Sequence, residues 1–242
     1  MKNVIIIIPA RIKSTRLPGK PLKIINNKPL IYWTWKNCSK AIAANKIFVA
    51  TDSKKIIQVC NQFGIQSIMT SSSCLTGTDR VAEAISKFSN KIIINLQGDE
   101  PYINYLDIKK FISFSIKNKN SVTNAYTKLL NKKLFENKNI PKVILKKNND
   151  LLYMSRSSIP GSKKKQISFI YKQICMYGFP KKILIKLFGK NKKKTPLEKI
   201  EDIEILRFIE NNIPVKMIKV GDNKLAIDTE FDLKRARKLK KN

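Results

Sequence analysis

The chain has 242 residues, 43% of them hydrophobic. That is enough for one substantial α/β domain or a domain with a lobe, and no run approaches the ~20 apolar residues of a membrane span. Histidine is absent, which excludes Ser-His-Asp and Cys-His nucleophiles and argues against zinc, and the four cysteines (Cys38, Cys60, Cys74, Cys175) lack C-x-x-C spacing.

The first half alternates strand and helix. A buried-looking strand, Val4 to Ile8, is expected to stop at Pro9. A cation-rich loop follows, and then an amphipathic helix from Leu30 to Ala44. Ile47–Ala50 reads as a short strand, and residues 53–63 as a helix with Ser53 or Asp52 as N-cap and Gly64 as its stop. Gln66–Met69 is strand, Thr78–Phe88 helix, Ile92–Leu96 strand and Tyr105–Ile116 helix. Such βα alternation predicts a mostly parallel, Rossmann-like sheet with helices on both faces.

From Val122 to Tyr177 the pattern is β-rich and irregular, with strands at 122–126, 143–146, 152–154 and 174–177. We read 122–178 as a small inserted lobe or dimerisation arm. Helices at 180–188 and 197–211, a strand at 215–220 and a helix at 230–241 complete one domain over 1–242. Neither repeats nor a low-complexity linker interrupts it.

Lys and Arg together number 49 against 17 Asp and Glu, a net charge of +32. That points to a polyanion or to a coding bias toward lysine. The cations are scattered in short runs such as Lys163–Lys165 and Lys192–Lys194, which favours the bias. No secretory pattern opens the chain, and reduced thiols fit a cytoplasmic protein.

Only seven of the cations are arginine, and two of those fall in the first loop. It reads Pro9-Ala10-Arg11-Ile12-Lys13-Ser14-Thr15-Arg16-Leu17-Pro18-Gly19-Lys20-Pro21-Leu22. A loop after the first strand of such a sheet, with Arg11, Arg16, Lys20, Ser14 and Thr15, is suited to phosphates. It is neither a Walker A loop nor a G-x-G-x-x-G turn, because Pro21 follows Gly19-Lys20.

Thr76-Gly77-Thr78-Asp79-Arg80 opens a helix and suits either a nucleoside or a simple N-cap. Leu96-Gln97-Gly98-Asp99-Glu100-Pro101 brings a carboxylate to the end of a strand, for Mg²⁺ or as a cap. Asp228, in Ala226-Ile227-Asp228-Thr229-Glu230, has the same two readings. Arg156, a lone arginine in Tyr153-Met154-Ser155-Arg156-Ser157-Ser158-Ile159-Pro160, suits two-toothed binding of a carboxylate.

Taken together, these segments resemble the 3-deoxy-manno-octulosonate cytidylyltransferase family of nucleotide-diphospho-sugar transferase type. The resemblance runs over nearly the whole chain and is densest at 5–22, 95–101, 153–160 and 195–232. It implies transfer of CMP from CTP to a 2-keto-3-deoxy sugar acid (KDO or a close analogue), a homodimer, and Mg²⁺ held by Asp99 and Asp228.

The resemblance also assigns Ala10, Arg11, Ser14, Thr15, Arg16, Lys20, Gly77, Thr78 and Arg80 to the nucleotide. It makes Lys20, Arg16 and Asp99 the catalytic set. Gln97, Arg156, Gln173, Tyr177 and Glu204 fall to the sugar acid. Two positions depart from the family: Gln173 replaces a usual His, and Ile205 a usual Gln. These leave the sugar open between KDO and an analogue such as an amino-substituted octulosonate, and a CMP-sialic-type synthetase stands as a second reading. A third, non-specific nucleic-acid binding driven by charge, lacks an aromatic-rich basic stripe.

Overall fold

The computed structural model describes residues 3–129, 132–163, 170–189, 191–221 and 226–238. Strand β1 (Val4–Ala10) leads through the loop to a short hairpin, β2 (Ile24–Ile25) and β3 (Lys28–Pro29). Then come α1 (Leu30–Ala41), β4 (Ile47–Thr51), α2 (Lys54–Gln62), β5 (Ser67–Met69), α3 (Gly77–Ala84), β6 (Ile92–Leu96), α4 (Tyr105–Lys117) and β7 (Val122–Lys128). The second half runs α5 (Lys132–Glu136), β8 (Lys142–Leu145), β9 (Leu151–Ser155), β10 (Tyr171–Pro180), α6 (Lys181–Leu187), α7 (Pro196–Glu201), α8 (Leu206–Glu210), β11 (Val215–Lys219) and α9 (Glu230–Lys238).

The main sheet has the order β11-β7-β10-β6-β1-β4-β5. Its pairs are parallel except at β10, which is antiparallel to both β6 and β7. Strand β1 explains the layering. Val4, Ile6 and Ile8 face a cluster built with α1, α2 and α4, while Ile5 and Ile7 face one built with α3, α6 and α8. β-Branched residues on both faces suit a strand covered on both sides. From β1 the chain winds outward to β4 and β5, then returns to β6 on the other side of β1. This reversal opens a crevice past the carboxyl ends of β1 and β6, where ligands bind in open α/β sheets.

Several elements differ from expectation. Strand β1 does not stop at Pro9 but continues to Ala10. Its ladder to β6 ends at Ile7, so Pro9 lies where one side is already open and a proline is tolerated. The helix expected over 197–211 is broken in two by Asp202, which takes a left-handed conformation with φ 49°. Ser53 occupies the N-cap of α2 but makes no side-chain cap bond, whereas Thr76 caps α3 by accepting from the Asp79 N–H at 3.0 Å.

The last helix is described only to Lys238, so the expected end at 241 lies outside the described residues. Lys164 and Lys165 lie outside them too. The segment expected as a lobe, 122–178, begins and ends in strands of the main sheet, and only the β8–β9 hairpin leaves the sheet path. No helix among the described residues is long and apolar enough to cross a membrane. All four cysteines are free thiols.

At the β7–β10 contact, Gly178 sits against α4. A Cβ there would overlap Thr123 Oγ1 and lie 2.5 Å from Ser115 Oγ, two hydroxyls that hydrogen-bond to each other at 2.8 Å. Gly178→Ala is therefore expected to cost about 1–3 kcal/mol through overpacking. Urea denaturation measures this, and an unchanged midpoint would contradict so tight a contact.

Candidate active site

The loop after β1 folds on itself. The Gly19 N–H donates to the Ile12 carbonyl at 3.2 Å and the Lys20 N–H to the Leu17 carbonyl at 3.0 Å. Gly19 takes φ 67°, a conformation that favours glycine. Leu17 anchors the loop in an apolar cluster with Ile25, Leu30, Ile227 and Leu233. This cluster seats the loop beside Ile227, and so beside Asp228. The Ile227 N–H in turn donates to the Asp99 carbonyl at 3.0 Å. Three segments far apart in sequence are thereby brought to one point.

At that point the Lys20 ammonium donates to Asp99 Oδ2 and to Asp228 Oδ1, each at 2.9 Å. Arg16 donates to Asp228 Oδ1 at 3.2 Å and to Asn139 Oδ1 at 3.0 Å. Burial alone would lower the Lys20 pKa, but the two carboxylates more than reverse this and hold it well above its ordinary value. Burial would raise the Asp228 carboxyl, and the attraction of Lys20 and then Arg16 brings it below the usual range.

Two clefts meet at Asp99 and Asp228. The first, about 480 Å³, is lined by Ala10, Arg11, Ser14, Thr15, Arg16 and Lys20 from the loop. Gly77, Arg80, Gln97, Gly98 and Glu204 line its opposite side. Gly98 packs closely on the end of β1, where a Cβ would lie 3.1 Å from the Pro9 carbonyl oxygen, a tight contact. From α1, Thr34 holds the Gly98 carbonyl at 3.0 Å and Asn37 the Pro101 carbonyl at 2.8 Å, so the turn carrying Asp99 is fixed from below. The second cleft, about 510 Å³, is lined by Gln173, Lys172, Cys175, Glu100, Asn139 and Phe231 among others. Buried Glu100 has its carboxyl pushed up to about 8 by desolvation and by Asp99.

The remaining expected residues occupy supporting positions. Arg80 is buried, and its guanidinium donates to Asp52 at 3.0 Å and to Thr70 at 2.6 Å. The Glu204 carboxylate accepts from the Gly77 N–H at 2.9 Å, the Thr78 N–H at 3.0 Å and the Thr78 hydroxyl. It thus holds the N-terminus of α3, and burial pushes its carboxyl up to about 7. Gln173 donates to Asn124 Oδ1 at 3.1 Å.

Arg156 and Tyr177 line neither cleft. The Arg156 guanidinium is taken up by the carbonyls of Glu201, Asp202 and Lys138. Tyr177 is buried and stacked on Phe179. Ile205 is buried in the core. Sequence reasoning missed Asn139, and also Lys194 and Asp202, which pair at 2.8 Å and line the first cleft. No local signal separates these from ordinary surface residues in a lysine- and asparagine-rich chain.

Two carboxylates with few other protein ligands suit Mg²⁺, which keeps waters and phosphate oxygens in its shell. Asp99 Oδ1 is buried with no hydrogen-bond partner, an orphaned acceptor of the kind that a cation satisfies. The residues present therefore fit the ion.

A cation-rich loop at the reversal of an α/β sheet, facing two carboxylates, suits the phosphates of a nucleotide and a divalent ion, as a nucleotidyltransferase requires. The profile of the cytidylyltransferase family matches residues 5–219. The 3-deoxy-manno-octulosonate cytidylyltransferase of Thermodesulfovibrio yellowstonii is 40% identical over 97% of this chain and 96% of its own. That of Fusobacterium nucleatum is 39% identical over 94% and 92%.

A solved structure of CMP:2-keto-3-deoxy-manno-octonic acid synthetase complexed with CTP superposes with a TM-score of 0.88 at 29% identity, covering 97% of this chain and 96% of that one. A Leptospira borgpetersenii cytidylyltransferase, at 17% identity and a TM-score of 0.63, shares the fold. The chain belongs to the 3-deoxy-manno-octulosonate cytidylyltransferase family.

Proposed function

We propose that the protein transfers CMP from CTP to the anomeric hydroxyl of 3-deoxy-D-manno-octulosonate, releasing pyrophosphate and giving CMP-KDO for lipopolysaccharide synthesis. The observation that carries this reading is the pair of clefts meeting at Asp99 and Asp228, one of them walled by the loop cations. Its support from outside is the near full-length match to relatives of that activity. Steep polyanion binding, as an alternative, gives no reason for two adjoining clefts in a fold of this family.

In this reading Arg11, Arg16 and Lys20 bind the triphosphate and neutralise the charge that develops on the leaving pyrophosphate. Ala10, Ser14 and Thr15 add backbone and hydroxyl donors along the loop. Gly77, Thr78 and Arg80 place the nucleoside; of these, Arg80 acts through Asp52 and Thr70. Gln97 and Gln173 face the sugar acid, while Glu204, Arg156 and Tyr177 shape its surroundings. Asp99 and Asp228 would hold Mg²⁺, which when bound activates the attacking hydroxyl and neutralises phosphate charge. The two clefts set hydroxyl and α-phosphorus against each other, which removes much of the entropy cost of their meeting. We also propose a homodimer through the 122–178 segment, where Leu152 is half exposed.

The test is pyrophosphate release with Mg²⁺ and each nucleoside triphosphate, with and without KDO. Release is expected with CTP plus KDO alone. Release with a sialic-type sugar acid and none with KDO would move the assignment to the sialic-type reading, and failure to bind any triphosphate would overturn it.

A further inference from the structure

The metal site proposed above is already occupied by the protein itself. Lys20 bridges the two carboxylates, 2.9 Å from an oxygen of each, with its side chain only 17% exposed. Arg16 holds the same oxygen of Asp228 from the solvent side. The four groups form a closed, neutral quartet of two cations and two carboxylates. An ion held by the same two oxygens, Asp99 Oδ2 and Asp228 Oδ1, would compete with the Lys20 ammonium for them. Mg²⁺ binds oxygen at 2.0–2.1 Å, so the two cations would stand within a few ångströms in a partly desolvated crevice. Asp99 Oδ1, the buried acceptor with no partner, stays beside that ammonium and offers a single carboxylate oxygen only.

The means of opening the quartet lies in the same cleft. Lys20 sits on a Gly19-Lys20 turn among Arg11, Ser14 and Arg16, the residues given to phosphates. A lysine side chain is a mobile point charge on a four-carbon stem, able to exchange one set of oxygens for another. Phosphate oxygens delivered to the loop compete for Lys20 and Arg16, and the carboxylates are then left unneutralised.

On the nucleotidyltransferase reading, we infer that Lys20 is a resident counter-ion that closes the Asp99–Asp228 metal site in the free protein, and that the triphosphate opens it by drawing Lys20 away. Metal and triphosphate therefore bind with positive coupling, and the free protein resists loading with metal.

The test is direct metal binding without turnover. Free Mn²⁺ is counted by electron paramagnetic resonance in titrations of nucleotide-free wild type, Lys20→Met, Lys20→Gln and the Lys20→Met/Asp99→Asn double variant. Removing an ammonium a few ångströms from the ion is expected to tighten Mn²⁺ binding by about tenfold or more in both single variants. The double variant should lose that gain.

Melting curves give a second readout, with Mn²⁺ raising the melting temperature of the Lys20 variants and leaving nucleotide-free wild type nearly unchanged. A variant that folds only with Mn²⁺ supports the inference equally. Equal Mn²⁺ affinity in wild type and the single variants overturns it, as do single variants that stay unfolded at saturating Mn²⁺. A separate CTP titration of wild type keeps the outcomes apart: failure to bind CTP defeats the nucleotidyltransferase reading, whereas normal CTP binding with unaltered Mn²⁺ affinity defeats only the role of Lys20.

Discussion

Asp99→Asn is expected to lower turnover by about 10²–10³-fold while CTP still binds with near wild-type affinity. The substitution preserves the shape of the side chain at the end of β6. It replaces a carboxylate oxygen by an amide N–H₂, which is no ligand for Mg²⁺ and cannot accept from Lys20, now 2.9 Å from Asp99 Oδ2. Asp228 then keeps Lys20 and Arg16 to itself, and the two-carboxylate site is halved. The groups on the loop and on α3 that we propose for the nucleotide are untouched, so on that reading the triphosphate keeps most of its donors. Steady-state pyrophosphate release measures the first effect and calorimetric titration of CTP the second. Wild-type-like turnover would refute the role of Asp99, and loss of CTP binding would show that its work is structural.

The largest effect on stability is expected at Arg207. This side chain is 1% exposed, and its Cζ lies over the Phe188 ring, 3.7 Å from the centroid. It donates to both oxygens of Glu198, at 2.6 and 2.8 Å, to Asp79 at 3.4 Å and to the Leu187 carbonyl at 2.9 Å. Glu198 is fully buried and Asp79 nearly so. Arg207→Met leaves these carboxylates without their cation, at a cost of about 3–5 kcal/mol. Equilibrium urea denaturation measures it.

A double variant, Glu198→Leu/Arg207→Met, should recover part of the loss, because a buried pair replaced by apolar groups of similar volume is often neutral. A loss below about 1 kcal/mol in the single variant, the level of an exposed ion pair, would contradict the burial. The effect reaches the cleft as well. Asp79 shares a 2.7 Å hydrogen bond with the Thr76 cap, and Thr76 lines the first cleft beside Gly77. The CTP KM is therefore expected to rise in the single variant, with kcat changed less.

Local chemistry made much of the site readable. The Arg11-to-Lys20 loop stands out because arginine is scarce in a lysine-rich chain, and Asp99 because Gln-Gly-Asp follows a run of apolar β-formers. The apolar periods of α1, α2 and α4 and the unbroken run Val4–Ile8 were likewise enough to place the sheet and its two covered faces. Such features depend on neighbours in sequence: side-chain period, turn residues, propensity.

The tertiary structure alone decided which distant groups meet. Lys20 lies between Asp99 and Asp228 because Leu17 and Ile227 share one apolar cluster, a contact across more than two hundred residues. The same holds for Arg156, Tyr177 and Glu204, whose type suits a sugar acid but whose partners are backbone carbonyls, a core ring and a helix N-terminus. It holds again for β10, whose ten residues run antiparallel through the middle of the sheet. Chain direction and ion-pair choice follow from packing and desolvation summed over the whole molecule, and neither leaves a mark on the local pattern of residues.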